Sequence, residues 1–258
     1  MKRWIGLLIL LMCASLTFAQ DDAQTPSGLS IPGEFYAIEN YAAYPPGTQR
    51  AYSNVAYGLA GYLVEVLAAE PLNRYSAEKI FQPLKMNSTG WMLSEIDRGQ
   101  HARLYEWSDG KHTPVAWYGL ATWPDGGVRT GVRDLGRFFA AMMNGGELDG
   151  IRILQEATVN AMFQPQFAAG QILEGIEEGE NEKQAISWAY RTAPGGEVVA
   201  GHSGADPGVS THAYFFPEIG RAAILLVNTS SENQTFQLAV RDMMRALLNA
   251  AMNNKDKK

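Results

Sequence analysis

Apolar positions recur at helical spacing through the first part of the chain. After Tyr52-Ser53-Asn54 they return every three or four residues, which predicts an amphipathic helix capped by Ser53 or Asn54. The stripe consists of Val55, Leu59, Leu63, Val66 and Leu67. Further helices are predicted near Tyr75 to Leu84, between Gly126-Gly127 and Gly145-Gly146 with Thr130 as the cap, and from Glu156 to Phe163. Residues 34–185 are therefore predicted to be mainly helical.

The pattern changes at Ile186. The segments ISWAYR, EVVAGHS, THAYFFP and AAILLVN are short, rich in β-branched and aromatic residues, and separated by Gly and Pro turns. They predict successive antiparallel strands. A final helix, Gln234 to Met252, carries apolar residues on one side and should pack on the sheet, and residues 253–258 form a tail. The predicted fold class is α+β, an antiparallel sheet packed by helices plus a helical subdomain.

The N-terminus has the pattern of an export signal. Lys2 and Arg3 precede a nearly continuous apolar run, and Thr17-Phe18-Ala19 has the small residues of a cleavage site. Cys13 would suit a lipoprotein site, but Met12 before it is larger than such a site prefers. Residues 1–19 are therefore predicted to be a signal peptide cleaved after Ala19, residues 20–33 a polar arm, and the protein secreted or periplasmic.

Composition narrows the function classes. Removing Lys2 and Arg3 with the signal leaves 19 of the 21 basic residues against 27 acidic ones, a net charge of −8, which argues against nucleic acid as a partner. The only cysteine leaves with the same segment, so neither a disulfide framework nor a thiol nucleophile is expected. The four histidines are scattered without metal-ligand spacing, and no metal or cofactor is predicted. The acidic run at 174–182 is predicted to be a solvated loop.

Two short stretches carry candidate chemistry. Tyr52-Ser53-Asn54 lies where a turn feeds a helix, so a tyrosine hydroxyl and an amide can face a cleft. Gly201-His202-Ser203-Gly204 ends a predicted strand, where a histidine can present both ring nitrogens to a substrate. Taken alone, the second stretch is better explained as a turn with a surface histidine.

The order of the motifs is more specific than any one of them. Tyr-x-Asn is followed by Gly126-Gly127 with Thr130 and Asp134-Leu135, by Trp188-x-Tyr190, by His202-Ser203-Gly204, by the run from Asp206 to Thr211, and by Asn228 before a terminal helix. This order resembles the β-lactamase-related serine hydrolases, which include class C β-lactamases, D-alanyl-D-alanine peptidases and esterases. The resemblance runs from about Thr25 to Leu248 and implies a β-lactamase/transpeptidase-like fold.

The resemblance also implies roles for single residues. Tyr52 matches the tyrosine that helps to shuttle a proton, and Asn54 matches the asparagine that orients the substrate. His202 is the third catalytic element, and Ser203 and Gly204 on the same strand are implied to bind substrate, with a backbone N–H available for an oxyanion hole. A histidine in place of lysine at this position favours an esterase or peptidase over a potent β-lactamase.

One element of the family is not found where it is expected. The nucleophile and its base form a Ser-x-x-Lys pair on one helical turn, and that helix precedes Tyr-x-Asn by several dozen residues or more. Only about thirty residues separate Ala19 from Tyr52, and Thr25-Pro26-Ser27-Gly28-Leu29 resembles a segment that follows the nucleophile. The first strands and the central nucleophile helix are therefore predicted to be missing. The string Ser76-Ala77-Glu78-Lys79 follows Tyr52, so Ser76 and Lys79 are interpreted as a decoy, with Ser76 on an outer helical face and Lys79 solvated.

Three functional hypotheses follow. The first is a truncated, catalytically silent homologue that keeps a residual cleft for a small acyl, ester or peptide substrate. The second is an active hydrolase with its nucleophile at Ser76, Ser27 or Ser30. The third is a non-enzymatic binding module, or half of a split enzyme completed by another chain. Without the missing strands, the strand from Ala222 to Asn228 should have an unpaired edge, which predicts low stability or self-association.

Overall fold

The computed structural model describes residues 44–45, 48–167, 172–173, 180–193 and 196–253. The predicted signal peptide, the polar arm and the residues after 253 lie outside this described part, as do residues 174–179 of the acidic run. Among the described residues no single helix is long and apolar enough to cross a bilayer; the helix Asn54–Ala68 and the helical segment Leu72–Phe81 reach that length and hydropathy only when taken together across an 80° bend.

Five α-helices form the helical part of the described chain: α1 (Asn54–Ala68), α2 (Leu72–Ser76), α3 (Val132–Met143), α4 (Glu156–Phe163) and α5 (Gln234–Asn253). The N-cap of α1 is Ser53, whose hydroxyl accepts a hydrogen bond from the Ala56 N–H at 3.1 Å. The helix after α1 lies close to its predicted place, but it continues from α2 into a π-helical turn, Ala77–Phe81.

The cap predicted for α3 is wrong. Gly131 occupies the N-cap position in extended conformation and gives no side-chain cap. The Thr130 hydroxyl instead lies 2.7 Å from the hydroxyl of Thr89. Thr89 also donates to the Asp134 carboxylate at 2.9 Å. Thr130 thus joins the start of α3 to the loop that follows Phe81 instead of satisfying the helix terminus.

A five-stranded antiparallel sheet forms the other layer. Its strands are β7 (Glu180–Gln184), β8 (Ala189–Thr192), β9 (Val198–Asp206), β10 (Val209–Phe216) and β11 (Arg221–Val227), in the spatial order β11-β10-β9-β8-β7. The four strands predicted after Ile186 are confirmed, and together with the helices they confirm the α+β fold class. The turn between β9 and β10 holds Pro207 and Gly208, and Gly208 has a φ of 83°, a conformation that glycine adopts without strain.

Short strands absent from the predicted set complete the architecture. β2 (Leu104–Ser108) and β3 (Lys111–Val115) form a hairpin, and β12 (Thr229–Ser230) pairs in parallel with β2. β4 (Glu147–Leu148) and β5 (Ile151–Arg152) form a second hairpin, and β1 (Gln49–Arg50) pairs in parallel with β6 (Ile172–Leu173). Between β2 and β3, Asp109 and Gly110 have φ angles of 51° and 75°, as a type I′ hairpin turn requires.

The core lies on both faces of the sheet. On one face, Trp188 and Phe215 pack with Phe139 of α3 and Phe163 of α4, with ring centroids 5.1 to 5.9 Å apart. On the other face, α5 buries apolar residues against β10 and β11. They are Met244 and Leu248. This two-sided packing fixes the strands whose ends form the candidate site.

Candidate active site

A cleft of about 940 Å³ lies at one end of the sheet. One wall is formed by residues 202–206 of β9 with neighbouring residues of β10 and β11. The opposite wall is formed by the loop at 124–131 and the first turn of α3. A volume near the upper end of the usual range for small-molecule sites leaves room for a ligand and ordered water.

His202 lies in the wall formed by the sheet. Its side chain is only 7% exposed, and its Nδ1 atom is 2.6 Å from the carbonyl oxygen of Ser203. Because a carbonyl oxygen can only accept a hydrogen bond, Nδ1 carries a hydrogen atom in this arrangement. In the neutral ring, Nε2 is then the nitrogen that can accept a proton.

Tyr52 and His202, 150 positions apart in the sequence, meet in the fold. Their ring centroids are 6.2 Å apart with an angle of 29° between the ring planes. Asn54 is the first residue of α1, and its Oδ1 atom is buried. The structure therefore brings Tyr52 to His202. Of the predicted site residues, His202, Ser203 and Gly204 line the cleft, whereas Tyr52 and Asn54 are not part of its described lining.

A close approach of the backbone explains the glycine before His202. A Cβ atom at Gly201 would lie 2.1 Å from the carbonyl oxygen of Ala213 on β10. Gly204 pairs with Thr211, whose hydroxyl donates to the Gly204 carbonyl oxygen at 3.4 Å. The register of β9 against β10 therefore depends on a residue without a side chain at position 201, and that register positions His202.

Asp125 is a cleft residue that the sequence analysis missed. Its side chain is 3% exposed, and burial raises its pKa from 3.8 to about 6. A hydrogen bond with the Thr122 side chain lowers this pKa, and the negative charge of Asp206 on the opposite wall raises it. A carboxyl group in this setting takes up a proton within the physiological pH range. In the sequence, Pro124-Asp125-Gly126-Gly127 signals only a turn.

Arg129 holds this wall of the cleft together. Its guanidinium group donates hydrogen bonds to the carbonyl oxygen of Trp91, to that of Tyr118 at 2.5 Å and to that of Gly127 at 3.4 Å. Its backbone also pairs with Gly90. One side chain thus fixes three loop segments around the cleft.

The predicted outer position of Ser76 is wrong. Ser76 is 1% exposed; its hydroxyl donates to the Leu72 carbonyl oxygen at 2.7 Å and accepts from Trp91 Nε1 at 2.7 Å. The physical reason is its place in the helical repeat, since Ser76 lies four residues from both Leu72 and Ile80, which are buried. Lys79 is exposed as expected, with 55% of its side chain accessible. The two residues therefore do not form a nucleophile and base.

A second Ser-x-x-Lys string escaped the sequence analysis. Ser108 and Lys111 flank the type I′ turn of the β2–β3 hairpin and pair directly across it. Both residues are exposed. The serines that line the cleft are Ser88 and Ser203, and no lysine lies in the described part of the cleft lining. Ser27 and Ser30 lie outside the described residues.

Comparison with known proteins agrees with this architecture. A family model described as Beta-lactamase matches residues 38–248. The chain is 25% identical over 236 residues to a β-lactamase of Yersinia enterocolitica, an alignment that covers 79% of this chain and 57% of that protein. A 46-residue stretch is 44% identical to a putative D-alanyl-D-alanine carboxypeptidase of Escherichia coli K12, covering 18% of this chain and 11% of that protein.

Solved structures show the same fold. An octameric penicillin-binding protein homologue from Pyrococcus abyssi superposes with a TM-score of 0.67 at 22% identity, covering 89% of this chain and 49% of that chain. A D-amino acid amidase from Ochrobactrum anthropi SV3 gives a TM-score of 0.66 at 22% identity, covering 80% of this chain and 58% of that one. The chain thus spans about half the length of these proteins.

Proposed function

Because this chain belongs to the β-lactamase family of serine hydrolases, we propose that it holds the tyrosine and histidine side of an acyl-transfer site and does not turn over substrates as a single chain. The main support is the contact of Tyr52 with His202 beside a cleft whose described lining contains no lysine. A serine hydroxyl is a weak nucleophile at neutral pH unless a base lies next to it.

Each residue of the proposed half-site has a distinct task. His202 accepts a hydrogen bond at Nε2. The resemblance assigns Tyr52 to relay a proton and Asn54 to orient the substrate, and both tasks require the reacting group to lie at the margin of the cleft, because neither residue is in its described lining. One backbone N–H of β9 beside His202 is the candidate donor to a developing oxyanion. None of these groups forms a covalent bond with the substrate. We call Tyr52, Asn54 and His202 the half-site, because acyl transfer also requires a nucleophile that these residues do not supply.

The proposed substrates are small acyl esters, amides or peptides. Similarity to a putative D-alanyl-D-alanine carboxypeptidase and to a D-amino acid amidase makes D-amino acid derivatives the first compounds to test. The described cleft lining holds acidic groups, among them Asp125 and Asp206, beside the basic side chains of Arg129 and Arg133. The acidic groups suit a substrate that carries an amino group.

Export is part of the proposal. The basic start and the apolar run of residues 1–19 support secretion with cleavage after Ala19. The mass of the chain recovered from the periplasm or medium of an expressing bacterium tests this point. A mature chain that begins at Gln20 is expected, and an intact chain in the cytoplasm would contradict it.

Turnover assays test the catalytic proposal. The folded chain is incubated with nitrocefin, p-nitrophenyl acetate and D-phenylalanine amide. Tyr52→Phe and His202→Asn are assayed beside it, with Tyr105→Phe as the matched control, because Tyr105 lies outside the described cleft lining. We expect every rate to equal the rate in buffer. Turnover that is lost in Tyr52→Phe and His202→Asn but kept in Tyr105→Phe would overturn the proposal, because it would require a nucleophile within this chain.

A further inference from the structure

A buried hydrogen bond joins α1 to the sheet close to the half-site. The Tyr57 hydroxyl on α1 lies 3.1 Å from the Ser187 hydroxyl, although the two residues are 130 positions apart in the sequence. Burial raises the pKa of Tyr57, and this effect exceeds the lowering by the Ser187 hydrogen bond and by the nearby positive charge of Arg50. Tyr57 therefore keeps its hydroxyl hydrogen at neutral pH and can donate or accept in this bond.

Ser187 is held in a backbone conformation that favours glycine. It lies in the turn between β7 and β8, which the Ala185 N–H closes by donating to the Trp188 carbonyl oxygen at 2.9 Å. Its φ is 62°, in the left-handed region that is unfavourable for a residue with a Cβ atom. A strained residue persists where the contacts around it over-determine its position, and such residues concentrate at functional sites. The hydroxyl that a glycine would lack here is the group that contacts Tyr57.

Both partners of this bond lie near the half-site. Tyr57 lies one helical turn after Asn54, the first residue of α1. Ser187 comes two residues before β8, whose first residue pairs with the neighbour of His202 on β9. The hydrogen bond therefore links the start of α1, which follows Tyr52, to the strand beside the one that carries His202.

Packing holds α1 close to the opposite wall of the cleft without defining its rotation. Gly61 lies one turn after Tyr57 on the same face of α1, and a Cβ atom at position 61 would lie 2.5 Å from the Cβ atom of Pro124 in that wall. Such an apolar contact has no preferred direction, whereas a hydrogen bond weakens steeply as its angle changes. The bond between Tyr57 and Ser187 is therefore suited to fix how α1 is rotated against the sheet.

We propose that the hydrogen bond between Tyr57 and Ser187 is a positioning contact, which holds α1 in the orientation that brings the Tyr52 ring to His202. The inference rests on the proposed function, since it concerns the arrangement of the half-site. Tyr57 and Ser187 lie outside the described cleft lining, so they act through Tyr52 and not on a substrate.

Nuclear magnetic resonance of the folded chain tests the proposal. The chain has four histidines, so the ring protons of His202 are assigned by their loss in His202→Asn, and those of Tyr52 by their loss in Tyr52→Leu. In the wild type we expect a nuclear Overhauser cross-peak between the two rings, whose centroids are 6.2 Å apart. In Tyr57→Phe this cross-peak should be lost, because the substitution removes the hydroxyl that fixes α1 and keeps the ring that packs.

The matched control is Tyr190→Phe on β8. Burial also raises the pKa of Tyr190, and its hydroxyl donates to the Phe163 carbonyl oxygen at 2.8 Å, so its hydrogen bond leads to α4 instead of α1. Tyr190→Phe should lower the urea midpoint about as much as Tyr57→Phe does, and it should keep the cross-peak.

Two results would refute the positioning role. A cross-peak that survives in Tyr57→Phe means that the bond only stabilises the fold, and a cross-peak that is lost in Tyr190→Phe as well means that any loosening of the fold separates the rings. If Tyr57→Phe fails to fold by circular dichroism, Ser187→Gly takes its place, because glycine adopts this φ without strain. Turnover by the wild type would refute the proposed function and would leave this comparison of spectra unchanged.

Discussion

Replacement of Asp125 by asparagine should change the pH dependence of stability in a calculable way. The pKa of this carboxyl rises from 3.8 to about 6 on folding, mainly because its side chain is buried. A raised carboxyl pKa means that the folded state binds the proton more tightly than the unfolded state. The resulting stability is fully present below pH 3.8 and is lost as the pH rises through 6. About two pKa units at 1.36 kcal/mol each correspond to about 3 kcal/mol.

Urea unfolding followed by tryptophan fluorescence, between pH 3 and pH 8, measures this linkage. Asp125→Asn stays neutral throughout. The free energy of unfolding of this variant should therefore rise relative to that of the wild type by about 3 kcal/mol as the pH increases across this range. Asp109→Asn is the matched control, because it removes the same charge from an exposed turn where asparagine is equally suited. A constant difference between Asp125→Asn and the wild type would refute the reasoning.

Three further substitutions test the packing around the site by equilibrium unfolding. Ser76→Ala should cost about 1–3 kcal/mol, because the Trp91 indole N–H loses its buried acceptor; an unchanged midpoint would mean that the hydroxyl is not needed there. Gly201→Ala should cost more than about 3 kcal/mol, because its Cβ atom would meet the Ala213 carbonyl oxygen; a variant as stable as the wild type would contradict the register of β9. Ser53→Ala should cost about 1 kcal/mol through loss of the α1 cap, and helicity by circular dichroism should fall with it.

The local sequence pattern predicts the helices and strands that combine a clear apolar periodicity or strand composition with turn residues at both ends. The strands β9, β10 and β11 combine β-branched and aromatic residues with Gly and Pro turns, and α4 was predicted with its observed bounds. The β2–β3 hairpin was missed because its second strand is exposed and contains Pro114, so no apolar alternation marks it. The Asp109-Gly110 pair was the available signal, since that dipeptide favours a type I′ turn.

The candidate site was predictable only through the order of its motifs. No local pattern indicates that Tyr52 meets His202, because their contact depends on how α1 packs beside the sheet. The burial of Ser76 depends in the same way on tertiary packing, although its four-residue spacing from Leu72 and Ile80 indicates the buried face of the helix. The raised pKa of Asp125 arises from burial, which the turn sequence around it does not encode.

The most direct test of the proposed half-site is the intact mass of the folded chain after incubation with a serine-acylating probe, such as a fluorophosphonate or benzylpenicillin. The account predicts no adduct, since Ser76 is buried and hydrogen-bonded and the described cleft lining holds no lysine to activate a serine. A single stoichiometric adduct on the folded chain would contradict it, and the modified peptide would then identify the nucleophile.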